Sequence, residues 1–185
     1  MSVKRAVLVI DVQRGLCEGQ YASFESGRVI DRINEVAARA RAAGELVVII
    51  QHEAASGPLV HGSQGWQLAI GLQTASTDTF LRKTATDSFH RTALDALLKQ
   101  RGVTELVICG IQSDFCVDTT TRRALALGYA VVLVSDGHTT LDNKHLTAAQ
   151  IIEHHNETLS NITSFGPIVR LERAGEVRFG AHPGS

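Results

Sequence analysis

Three side chains of reactive type stand at or just beyond the ends of expected strands. Asp11 closes "RAVLVID" (5 to 11), Lys83 closes "TFLRK" (79 to 83), and Cys116 follows "ELVICG" (105 to 110) across a short polar turn. A carboxylate, an ammonium and a thiol in one place are the parts of covalent acyl transfer: a base that takes and returns a proton, a cation that favours the thiolate, and a nucleophile. Ser113 or Asp114 is placed to cap a helix after the turn, which puts Cys116 in its first turn. There, unpaired N–H groups and the macrodipole favour an anion, and the same N–H groups can hold a developing oxyanion. The other two cysteines read differently. Cys109 lies inside the apolar run and is expected to be a core residue. Cys17, in a polar, glycine-flanked stretch, is expected to be exposed and non-catalytic.

A parallel sheet would gather such residues, because ligand sites in open α/β sheets lie at the carboxyl ends of the strands. The runs at 5 to 11, 45 to 51, 105 to 110 and 130 to 136 are continuous rather than alternating, as expected of strands buried on both faces. Between them lie stretches with helical spacing. Residues 27 to 44 align Val29, Ile33, Val36, Ala37 and Ala40 and stop at Gly44; residues 88 to 102 align Leu94, Leu97 and Leu98, start near Asp87 or Ser88 and stop at Gly102. A third helix over 114 to 128 stops at Gly128, and a last one over 147 to 160 precedes a closing strand within 162 to 171. Residues 52 to 78 carry four glycines and a proline and predict a loop with a short helix, long enough to act as a lid. The pattern predicts one α/β domain over 1 to 185, a three-layer, Rossmann-like open sheet, mainly parallel, of about six strands with helices on both faces.

Composition narrows the partners. The 18 basic and 19 acidic residues leave a net charge of -1, which argues against a polyanion or anionic-membrane surface and for a small-molecule substrate. Three cysteines make no disulfide framework, and no apolar stretch reaches a membrane-spanning length, so a cytoplasmic enzyme with reduced thiols is expected. The loop after the first run, "VQRGLCEG", lacks G-x-G-x-x-G, which disfavours a dinucleotide-binding domain.

The stretches "VLVIDVQRG" (7 to 15), "RKTATDSF" (82 to 89) and "CGIQSDFCVDTTTRRALALGYAVVLVSDGHTT" (109 to 140) together resemble the isochorismatase-like cysteine hydrolases, the superfamily that includes nicotinamidases and N-carbamoylsarcosine amidases. The resemblance implies a catalytic triad of Asp11, Lys83 and Cys116, a cis peptide between Ile111 and Gln112, and an oxyanion hole made by the backbone amides of Gln112 and Cys116. It also implies a homo-oligomer, a dimer or tetramer. True isochorismatases of the superfamily lack the nucleophilic cysteine, so Cys116 argues against vinyl-ether hydrolysis. Nicotinamidases carry an Asp-x-His metal motif that is missing from "QHEAASGPLVHG". His52 and His61, nine positions apart on a glycine-containing loop, make a poor ligand pair, and neither a metal nor another cofactor is expected.

The reaction expected on these grounds is hydrolysis of a small-molecule amide, lactam or ureido C–N bond through a thioester acyl-enzyme. The alternatives are vinyl-ether hydrolysis and a catalytically silent, ligand-binding member of the fold. Gln13, His52, Trp66, Phe89 and Phe115, near strand ends or on the lid, are the expected substrate-binding residues, and His138 is a further candidate for the pocket wall. On the last helix, the adjacent His154 and His155 point in different directions and are not expected to share a ligand.

Overall fold

The computed structural model describes residues 3–180; the ends of the expected 1 to 185 domain lie outside the described residues. Six strands form one sheet: β1 (Arg5–Ile10), β2 (Leu46–His52), β3 (Thr79–Lys83), β4 (Glu105–Ile111), β5 (Ala130–Thr139) and β6 (Val169–Glu172). Their order is β3-β2-β1-β4-β5-β6, and every neighbouring pair is parallel. The helices are α1 (Arg14–Cys17), α2 (Ser26–Ala42), α3 (Leu94–Gln100), α4 (Asp118–Ala126) and α5 (Ala148–Ser160).

Strand alternation sorts the apolar runs into two cores. Ala6, Leu8, Ile10, Val48, Ile50, Leu106 and Ile108 face one side, where Leu94 and Leu98 of α3, Leu125 of α4 and Leu159 of α5 cover them. Val7, Val9, Val47, Ile49, Val107 and Cys109 face the other, against Val29, Ile33, Val36, Ala37 and Ala40 of α2. Because every second residue goes to each core, an uninterrupted apolar run is what a central strand of three layers requires. α2 ends where expected, with Gly44 in the left-handed region at φ 72°. α5 opens with a capping box: Thr147 Oγ1 accepts from the Gln150 amide, and the Gln150 side chain accepts from the Thr147 amide.

Three expectations about local structure are corrected. The second helix starts at Leu94, not near Asp87 or Ser88. Asp87 instead closes a turn by accepting from the Phe89 amide, Arg91 takes φ 53°, and Ser88 is tied to Thr120 of α4 (Ser88 N to Thr120 Oγ1 3.1 Å). The segment 52 to 78 contains no helix; turns and two isolated bridges, Gln13 with Leu68 and Ala54 with Val60, hold it. The turn after β4 is a π-helical turn over Ser113–Val117 that runs into α4, and neither Ser113 nor Asp114 caps it. Ser113 Oγ pairs with His138 Nδ1 at 2.8 Å, and Asp114 accepts from Thr140 Oγ1 at 2.6 Å.

The sheet order sets where a site can form. From β1 the chain builds outward through β2 and β3, then returns to the other side of β1 with β4. The β1/β4 boundary is therefore the topological switch point, where a crevice opens at the carboxyl ends. Gly110 lets the two strands meet there: at φ 129°, a Cβ on it would lie 2.1 Å from the Ile10 carbonyl oxygen.

Candidate active site

Asp11 is the first residue after β1, Lys83 the last of β3, and Cys116 lies in the π-helical turn after β4. β2 separates β1 from β3, so Lys83 must reach across the end of that strand to meet Asp11. It does: Lys83 Nζ is 2.7 Å from Asp11 Oδ2 and 3.2 Å from Cys116 Sγ, and donates to the Ala85 carbonyl at 2.9 Å. The Asp11 and Lys83 side chains are 1% and 0% exposed, so water screens little of their attraction. Asp11 sits in the left-handed region at φ 53°, and the second oxygen of its carboxylate, Oδ1, is buried without a hydrogen-bond partner. The Ile111–Gln112 peptide is cis, as the resemblance implied.

His52, the last residue of β2, pairs in register with Lys83, and its Nδ1 lies 3.2 Å from Lys83 Nζ. The donor atoms of Asp11, His52 and Cys116 lie within 4.8 Å of one another, a spacing a metal ion could use. Lys83 Nζ contacts all three. An ammonium thus holds the position a cation would take, and these residues do not fit a metal. His61 is engaged elsewhere, its Nε2 2.7 Å from an Arg82 guanidinium nitrogen.

Burial works against the influences of the helix terminus and Lys83 that favour a thiolate. Burial first, and the Asp11 carboxylate second, push the Cys116 thiol up to about 12, against the opposing pull of Lys83. Burial also raises the Asp11 carboxyl, with Lys83 opposing. Both shifts favour the protonated forms of thiol and carboxyl, with Lys83 opposing each. The other thiols are buried as well, and burial pushes Cys109 and Cys17 each up to about 12, so what sets Cys116 apart is its contact with Lys83. Cys17 is not exposed as expected, because α1 turns it into the core beside Val12 and Val29.

A cavity of about 190 Å³ opens on the sulfur. His52, Gln112 and Phe115 line it, together with four residues that sequence reasoning did not select: Leu16, Leu59, Thr86 and Ile111. His52 also borders an outer hollow of about 660 Å³, lined by Glu53, Val60, His61 and Thr84. Three expected binding residues do not line either space. Gln13 is fully buried and spends its amide on backbone, donating to the carbonyls of His52 (3.0 Å) and Trp66 (2.8 Å) and accepting from the His52 amide (2.8 Å). Trp66 packs edge-on against His61, with ring centroids 4.6 Å apart. Phe89 is core, stacked on Tyr129 at 6.0 Å. Nor does His138 face Cys116: it is buried between Ser113 and Asn156, and burial pulls its pKa down to about 4. His155 turns to the Ile151 carbonyl and His154 to Thr158, so the two do not act together.

Known proteins with related chains bear on this arrangement. The isochorismatase domain family matches residues 5–165. The chain belongs to the isochorismatase family. It is 44% identical over 139 residues to a streptothricin hydrolase of Streptomyces noursei, an alignment covering 75% of this chain and 50% of the relative. The chain thus spans about half the length of that relative. A ureidoacrylate amidohydrolase of Klebsiella pneumoniae is 30% identical over 168 residues, covering 71% of each chain. Among solved structures, an isochorismatase family protein superposes with TM-score 0.81 at 40% identity, covering 91% of this chain and 97% of that one. An N-carbamoylsarcosine amidase of Thermoplasma acidophilum shares the fold, with TM-score 0.82 at 22% identity, covering 95% and 99%. This isochorismatase-family chain thus has amidohydrolases among its relatives, and among the described residues no helix is long and apolar enough to cross a membrane.

Proposed function

We propose that the protein is a cysteine-dependent hydrolase of a small-molecule amide, lactam or ureido C–N bond, with Cys116 as nucleophile. One observation carries this reading: Lys83 Nζ touches both the Asp11 carboxylate and the Cys116 sulfur, and these two residues line the inner cavity. The kinship with a streptothricin hydrolase and a ureidoacrylate amidohydrolase supports the bond type.

In the proposed reaction, Asp11 takes the thiol proton as the sulfur attacks the substrate carbonyl, and Lys83 holds the sulfur's developing charge. The backbone amides of Gln112 and Cys116 hold the oxyanion. As the tetrahedral intermediate collapses, Asp11 passes its proton to the departing nitrogen and the C–N bond breaks, leaving a thioester. Asp11 then takes a proton from water, whose oxygen attacks the thioester carbonyl. The C–S bond breaks and the proton returns to the sulfur. The raised proton affinity of both partners suits this cycle, because the proton moves between two groups withdrawn from water. The inner cavity of about 190 Å³ suits only the reacting group, and the outer hollow of about 660 Å³ takes the rest of the substrate.

The test is a panel of amides, lactams and carbamoyl compounds, with streptothricin and ureidoacrylate included, read by amine or ammonia release. Cys116→Ala should abolish release and also the thioester mass adduct trapped by acid quench. Retained turnover in that variant would sink the assignment. Release of pyruvate from isochorismate by both wild type and Cys116→Ala would point to ether hydrolysis instead.

A further inference from the structure

The hydrogen bonds around Lys83 do not balance. An ammonium carries three N–H groups and no acceptor. Four acceptors surround this one: Asp11 Oδ2 at 2.7 Å, the Ala85 carbonyl at 2.9 Å, and His52 Nδ1 and Cys116 Sγ, each at 3.2 Å. The two short contacts take two of the protons, which leaves one for two equally distant acceptors. We propose that His52 is a positioning residue that competes with the Cys116 sulfur for the third N–H of Lys83, and so sets how much thiolate the site holds before substrate arrives. The inference rests on Cys116 being the nucleophile.

The sheet register makes the competition unavoidable. His52 and Lys83 are partners on neighbouring parallel strands, so their side chains leave the same face side by side. Lys83 must pass over the end of β2 to reach Asp11, and His52 is the residue it passes. The ring is itself held at its backbone, where Gln13 accepts from the His52 amide and donates to its carbonyl. Because Lys83 can only donate, the facing Nδ1 must be unprotonated and the ring neutral, with its proton on Nε2. Burial, and after it the charge of Lys83, lower the His52 pKa, which agrees with a neutral ring. The titratable groups facing His52 and Lys83 are Asp11 just after β1, Cys116 in the turn after β4 and Glu53 beside His52. Neither carboxylate replaces the lost acceptor if the ring is removed.

The consequence is a restraint on the nucleophile. While His52 holds part of the third N–H, the sulfur keeps its proton. When it loses that share, the thiolate gains a full charge-assisted hydrogen bond.

The experiment compares wild type, His52→Leu and His52→Asn by following thiolate ultraviolet absorbance against pH, with the Cys116→Ala curve subtracted to remove Cys17 and Cys109. Leucine fills the space with apolar atoms, which alone would raise the thiol pKa by desolvation. The freed N–H acts in the opposite direction. We expect the His52→Leu titration to move to lower pH by roughly one unit, a tenfold gain in thiolate at a given pH below the midpoint. Asparagine places its side-chain oxygen where Nδ1 stood and should return the curve to the wild-type position. Iodoacetamide labelling should follow the same order. An unchanged or upward-shifted curve in His52→Leu, or an Asn variant that behaves like Leu, overturns the proposal. Turnover retained in Cys116→Ala would instead remove the nucleophile assignment, and the titration distinguishes the two failures because it needs no substrate.

Discussion

Lys83 Nζ lies 2.7 Å from Asp11 Oδ2 across the end of β2, and neither side chain meets water. Lys83 thereby opposes the burial that raises the Asp11 pKa. The carboxylate must be charged to accept the thiol proton, so kcat/KM should fall as the pH drops through its raised pKa, above the usual aspartate value of 3.8. Lys83→Met removes the largest opposing influence. It should shift this acid limb to higher pH as well as lower the plateau, and pH–rate profiles of the two proteins would show it.

Asp11 and Cys116 make predictions of opposite sign for thiol reactivity and for turnover. The carboxylate is the second cause, after burial, of the raised thiol pKa. Asp11→Asn should therefore increase the thiolate fraction and the alkylation rate at a given pH. Turnover should nevertheless fall by roughly 100-fold or more, because the proton acceptor and donor is gone. A variant that becomes both more reactive to iodoacetamide and more active would contradict the role given to Asp11.

Gly110 and Ile10 define the crevice. Gly110→Ala places a Cβ against the Ile10 backbone, which no rotamer can relieve. A loss of about 2–4 kcal/mol is expected in urea unfolding. The surviving folded fraction should also lose activity, because the turn carrying Gln112 and Cys116 follows directly.

His138 offers a stability test away from the thiol. Its folded-state pKa of about 4 lies below the ordinary 6.5, so the unfolded chain binds the extra proton between these values. Stability from this group is full above about pH 6.5 and is lost as the pH falls toward 4, up to roughly 3 kcal/mol. His138→Gln should be less stable than wild type at neutral pH, with a gap that narrows on acidification. Urea midpoints measured across this range would check the convergence.

Much of the architecture was legible because single residues carry strong, local reasons. Asp11, Lys83 and the Cys116 turn each stand at the end of a strand, and strand ends are where a parallel sheet collects reactive groups. Gly44 and the Thr147–Gln150 box mark helix ends by chemistry that needs no tertiary context. The cavity wall was not legible. Leu16 and Leu59 reach it because Arg14 N meets the Gln67 carbonyl and Gly15 N the Gly65 carbonyl, contacts between segments about fifty residues apart that no periodicity encodes. Phe89 and Trp66 illustrate the same limit: an aromatic near a strand end can face substrate or core, and Tyr129 and His61 decided those two. The helix terminus and Lys83, both legible in the sequence, favour the Cys116 thiolate, whereas burial, a property of the whole fold, acts in the other direction.

Gln13 and Gln51 both donate to the Trp66 carbonyl, and Gln13 also grips the His52 backbone. The long loop is thus fastened to the reactive edge through its main chain, at a point where the anchor is indifferent to which side chain is present. Side chains of the loop that face the outer hollow, such as Val60 and His61, can therefore be exchanged without loosening that fastening, whereas Gly65, where a Cβ would lie 2.3 Å from the Pro58 carbonyl oxygen, and Leu59, in the wall of the inner cavity, cannot be changed so freely.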